Sequence, residues 1–164
     1  MEHSDGYGLD AHCEHAAEII KDMIGIEDCQ VYMMVGGTPC NVTAIAASLR
    51  PYESVVALRT GQAYFHETDA VDATGHRVVA LDGVNGKMSP ELIDKAWGEY
   101  EDEHTPLPKM VYISQPKECG AIYSKTEMTA IRKNVLKRIL YITVKMYPCS
   151  GGTDTVSPEQ GYCT

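Results

Sequence analysis

Five short runs of this chain are predominantly apolar, and each of the first four is followed by a stretch with helical periodicity. The runs are residues 31–35, 54–58, 77–81, 110–113 and 139–144. A strand with one wet face alternates apolar and polar side chains. A strand apolar at every position is buried on both faces. Strands of that kind, separated by helices, predict a three-layer α/β/α arrangement around a mainly parallel sheet. A chain of 164 residues can bury such a core as one domain without disulfide staples.

The helices carry their own start and stop signals. Asp10 is placed to cap a helix with Ala16, Ile19, Ile20, Met23 and Ile24 at helical spacing, and Gly25 ends it. After residues 31–35, Gly36-Gly37-Thr38 turns the chain. Thr38 reads as an N-cap and Pro39 as the first helical residue, with Pro51 closing the helix that follows. A short helix is expected over residues 65–74, closed by Gly75. Ser89-Pro90-Glu91 opens another helix, and Ser124 with Glu127 forms a capping box for a third. Residues 145–164 lack periodicity and read as an irregular tail behind a domain of residues 1–144.

Composition narrows the function. A net charge of −9 does not suit nucleic acid or an anionic membrane, so neither is expected as a partner. No apolar run approaches the roughly 18 residues that span a bilayer. The acidic first ten residues do not resemble a signal peptide, so the cytoplasm is the expected location. The six cysteines form no tight framework. His12 and His15 share a helical face beside Cys13, but no Cys-x-x-Cys or His-Glu-x-x-His spacing occurs, and no metal site is expected.

One local feature suits a ligand. A glycine pair between strand and helix lets a ligand approach the backbone, and a helix N-terminus offers free N–H groups to a phosphate. Gly36, Gly37, Thr38 and Asn41 are therefore candidates. Such a turn is common without a ligand, and this one matches neither the Walker loop nor the GxGxxG fingerprint.

Six segments, taken in order, say more: DGYGLD (5–10), VGGTPCN (35–41), LRPYESV (49–55), HETDAVDATGHRV (66–78), DGVNGKMSPELI (82–93) and PKMVYISQPKECGAIYS (108–124). Together they resemble successive segments of the threonine aldolases and their β-eliminating relatives. These are pyridoxal-phosphate lyases of the aspartate-aminotransferase-like fold (fold type I). The resemblance implies a truncated large domain, pyridoxal 5'-phosphate as cofactor, a small amino-acid substrate and a homo-oligomer in intact relatives. It implies catalytic roles for Tyr7, Glu67 and Gln62. Cofactor binding would involve Gly36, Gly37, Thr38, Asn41, Gln62, Ser114, Gln115 and Glu118.

The sequence also departs from that pattern. Gln62 stands where many relatives place a histidine over the cofactor ring, and an amide cannot move a proton as imidazole does. The family's Asp-Gly-Ala-Arg, which holds the ring nitrogen and grips the substrate carboxylate, does not occur. The cofactor lysine of a Gly-Gly-Thr-Lys-like segment is echoed only by Gly151-Gly152-Thr153-Asp154. Lys117 and Lys145 are not at that motif position. Two expectations follow. One is an inactive truncated lyase, from a shortened gene or a fragment. The other is a non-catalytic module that binds a phosphate ligand or a partner.

Overall fold

The computed structural model describes residues 5, 6, 8–65, 67, 70–100, 102–115, 122–136 and 141–146. They divide into two units, one up to Val35 and one from Gly36 onward.

The first unit holds helix α1, Ala11–Ile24. Asp10 caps it by accepting from the backbone N–H groups of His12 and Cys13 at 3.0 and 3.1 Å. Gly25 closes it in the left-handed region at φ 66°, as its sequence position predicts. Residues 31–35 were expected as a strand, and they form none. An apolar run becomes a strand only beside a hydrogen-bonded neighbour, and no described strand pairs with it.

The second unit is an α/β layer structure. Its elements are α2 Gly37–Ser48, β1 Glu53–Leu58, α3 Gln62–Phe65, a 3₁₀ turn Asp72–Thr74, β2 Val78–Leu81, α4 Pro90–Glu99, β3 Leu107–Gln115, α5 Lys125–Val135 and β4 Tyr141–Met146. The four strands form one sheet in the order β2-β1-β3-β4, and every pair is parallel. The expected helix over 65–74 is replaced by α3 and the 3₁₀ turn. β4 continues through Lys145 and Met146, two residues past the expected strand end.

Parallel neighbours alternate their side chains between two faces. Val55, Ala57, Met110 and Tyr112 share one face with Ile45 and Leu49 of α2 and with Ala63, Val71 and Val78, forming the main core. Val56, Val79, Val111 and Ile113 are also buried. They point to the other face, and α4 and α5 contribute the buried residues Ile93, Ala96, Met128, Ile131 and Val135. The split is the one that right-handed crossovers produce in this strand order. The chain leaves β1 toward β2 on one side and returns through α4 to β3 on the other side of β1.

Candidate functional site

That strand order creates a topological switch point. Connections from β1 and β3 run in opposite directions, and the carboxyl ends of two such strands are where open parallel sheets bind ligands. The turn leaving β1 is tight. Gly61 donates to Leu58 O at 2.8 Å. A Cβ at Gly61 would stand 2.9 Å from that same oxygen.

Helix α2 belongs to the same unit. Its N-cap is Gly36, at φ 153° and ψ 171°, a conformation close to glycine-only. The helix therefore starts earlier than expected. Thr38 is its second residue rather than its cap, and Pro39 its third. No side chain caps it. The first intrahelical bond is the long one from Cys40 N to Gly36 O, 3.4 Å. Helix geometry leaves the N–H groups of Gly37 and Thr38 without intrahelical acceptors. Two N–H groups thus stand at the positive end of the helix, with Thr38 in its first turn.

One turn further along α2, Asn41 is 3% exposed. Its Nδ2 donates to Glu67 Oε1 and, at 3.2 Å, to the hydroxyl of Tyr112. Glu67 is 5% exposed and Tyr112 2%. Three polar side chains from α2, β3 and the segment after α3 thus meet inside the apolar face of the sheet. Ser114 lies two residues beyond Tyr112 and so on the same face. Its Oγ is buried at the end of β3 and has no hydrogen-bond partner among the described residues. A buried hydroxyl without a partner is costly, and marks a place where a bound polar group would be accepted.

The structure thus brings Asn41, Glu67 and Ser114 to one face and adds Tyr112, which the sequence reading missed. Its signal was there: a tyrosine inside a fully apolar strand must find a partner for its hydroxyl. Gln115 points to the opposite face, where its Oε1 accepts from Tyr123 N at 3.3 Å. Tyr7, Glu118 and the Gln62 side chain lie outside the described residues, as do Lys117 and the Lys145 side chain. At the rim, Arg59 donates to Asp82 at 2.9 Å and to Tyr64 OH at 3.3 Å. The Asp82 carboxylate holds that guanidinium above its usual range. No group of three histidine, cysteine or acidic side chains converges among the described residues. None of the described helices is long and apolar enough to cross a membrane.

The β-eliminating lyase family model matches residues 1–140. The chain belongs to the β-eliminating lyase family. It is 28% identical over 131 residues to the low specificity L-threonine aldolase of Pseudomonas sp. strain NCIMB 10558. That match covers 79% of this chain and 38% of the aldolase. The solved threonine aldolase of Leishmania major superposes with a TM-score of 0.85 at 38% identity, over 88% of this chain and 42% of that one. An aspartate aminotransferase from Thermotoga maritima, at TM-score 0.65 and 20% identity over 80% of this chain and 34% of its own, shares the fold. The chain thus has the large-domain fold of fold-type I enzymes and spans about two-fifths of the threonine aldolases it matches.

Proposed function

We propose that this chain forms the cofactor-phosphate side of a pyridoxal-phosphate-dependent lyase of the threonine aldolase type. The substrate would be a small β-hydroxy amino acid such as threonine, cleaved to glycine and acetaldehyde. Active sites of this kind are completed in a homo-oligomer. One observation carries the reading. In a member of this family, the uncapped start of α2 and the buried Asn41–Glu67–Tyr112 group occur on the face of the sheet where the Ser114 hydroxyl, at the carboxyl end of β3, has no partner among the described residues. A PLP-bound C-S lyase from Staphylococcus hominis shares the fold at TM-score 0.62.

The residues present fit the cofactor's phosphate. Gly37 and Thr38 would hold it through backbone N–H groups and the Thr38 hydroxyl, and Gly36 keeps the approach clear of a side chain. When bound, the cofactor supplies an electron sink for the pair left as a bond to the amino acid's Cα breaks. This chain's own residues anchor the phosphate, exclude water with the apolar face of Ile45, Ala57 and Ala63, and hold the Glu67 carboxylate in a fixed place. Gln62 can lie against a ring, but its amide does not ionise near neutral pH and so cannot serve as a general acid or base there. The sequence holds no Asp-Gly-Ala-Arg, so binding without turnover is expected of the chain alone.

The test is a titration with pyridoxal phosphate followed by its visible absorbance, with inorganic phosphate as competitor. Thr38→Val keeps the side chain's shape and removes one hydroxyl donor. Loss of one hydrogen bond to a charged group, about 1.5 kcal/mol or somewhat more, should weaken binding about tenfold. Equal affinities would refute the phosphate assignment. Borohydride reduction should give no single labelled lysine. One stoichiometric adduct, together with glycine and acetaldehyde from threonine, would refute the expectation of binding without turnover.

A further inference from the structure

Tyr112 is an expensive residue where it stands. It sits in the central part of β3, 2% exposed, with its ring in the main core. A phenylalanine there would bury the same ring with no hydroxyl to satisfy, so the oxygen needs its own explanation. It stands 3.2 Å from Asn41 Nδ2. An asparagine amide has two N–H donors on one nitrogen, held in the amide plane. One donates to Glu67 Oε1 and the other to Tyr112. The two acceptors together fix that plane. They also fix which way the amide faces, because a flip would set its carbonyl oxygen against the carboxylate.

The consequence runs through the amide to the acid. With only Glu67 as acceptor, Asn41 could rotate about its side-chain torsions and follow the carboxylate. With Tyr112 taking the second N–H, the first is aimed at one place, and the carboxylate is drawn there. The three groups come from α2, β3 and the segment after α3, so the arrangement exists only once the sheet is assembled. Ser114, on the same face two residues later, places the network next to the ligand-facing end of β3.

We propose that Tyr112 is a positioning residue, which orients Glu67 for the bound cofactor by fixing the amide of Asn41. Its functional meaning rests on the cofactor-site reading above, whereas the link from Tyr112 to Asn41 does not.

The experiment uses the full chain and the variants Tyr112→Phe, Asn41→Ala and the double variant, with Asn41→Ser replacing Asn41→Ala should the latter not fold. Exchange of the Asn41 side-chain amide protons is read by NMR without ligand. It should be slow in the unchanged protein and at least about tenfold faster in Tyr112→Phe. Pyridoxal phosphate should bind about fivefold more weakly to Tyr112→Phe, the scale of one neutral hydrogen bond. It should bind to the double variant no more weakly than to the Asn41 variant alone. Affinity for inorganic phosphate, held by the start of α2, should not change in Tyr112→Phe; a general structural loss would lower both. Unchanged exchange, additive losses, or an equal loss of phosphate affinity would each overturn the proposal. Absence of pyridoxal phosphate binding in the unchanged protein would instead overturn the cofactor reading, with the exchange measurement still deciding the role of Tyr112.

Discussion

Replacing Asn41 by aspartate is nearly isosteric and reverses what the side chain offers Glu67. Where an N–H now meets Glu67 Oε1, a second carboxylate oxygen would stand in a site 3% exposed. Two unit charges about 3 Å apart repel by on the order of 5 kcal/mol at an effective dielectric near 20. The protein can avoid this by holding a proton between the two carboxyls, which at pH 7 costs about 4 kcal/mol, roughly three pH units at 1.36 kcal/mol each. The smaller figure sets the loss. In the variant the folded pair keeps a proton that the unfolded chain releases near pH 4, so one folded-state pKa is raised. The sign then follows. The variant's stability is greatest below about pH 4 and declines as pH rises toward the raised value, where the loss levels off. Urea unfolding followed by far-ultraviolet circular dichroism should show Asn41→Asp about 3–4 kcal/mol less stable than the unchanged protein at pH 7 and within about 1 kcal/mol at pH 4. Asn41→Leu should lose about 2–3 kcal/mol at pH 7. A loss in Asn41→Asp that does not change between pH 4 and pH 7 would refute the Asn41–Glu67 contact as described.

Three further outcomes test other parts of the structure. Glu127 closes the capping box of α5 and also accepts from Lys87 at 2.8 Å, and the Lys87 ammonium with the Ser124 N–H and hydroxyl lowers its pKa to about 2. The stability this confers is present above the ordinary carboxylate range near 4.5 and is lost as pH falls toward 2; acid titration of stability should show that loss, and Glu127→Gln should abolish it. Gly36→Ala forces a side chain onto φ 153° and should cost about 1–3 kcal/mol in thermal or urea unfolding while weakening phosphate binding, whereas full retention of both would refute the cradle geometry. Ile131→Ala, at a residue 1% exposed on α5, should lose about 2–5 kcal/mol without changing phosphate affinity, because it lies on the face of the sheet away from Asn41.

Local signals carried most of the element boundaries. Asp10 and Gly25 bound α1, Ser89 with Pro90 opens α4, and Ser124 with Glu127 opens α5, each where its side chain or backbone satisfies nearby N–H or C=O groups. Predominantly apolar runs predicted β1 to β4, since burial on both faces reduces the need for polar positions. The same criterion failed at residues 31–35, because hydrophobicity records the wish to be buried but not whether a neighbouring strand is present to pair with. The capping signals misplaced the start of α2, since Gly36-Gly37-Thr38-Pro39 offers two workable caps and the glycine conformation decides between them.

The sequence alone determined the chemistry in stock: a glycine turn at a helix start for an anion, a glutamate and an asparagine in segments resembling a lyase family, and no Asp-Gly-Ala-Arg. Those are properties of residues and their near neighbours, and spacing along the chain reveals them. Only the tertiary structure decided which of them meet. Asn41, Glu67 and Tyr112 lie 26 and 71 positions apart and are joined by hydrogen bonds that no local rule implies. Ser114 and Gln115 are adjacent in sequence and fall on opposite faces. The order β2-β1-β3-β4, which puts the switch point between β1 and β3, is set by how the crossovers pack across the whole sheet.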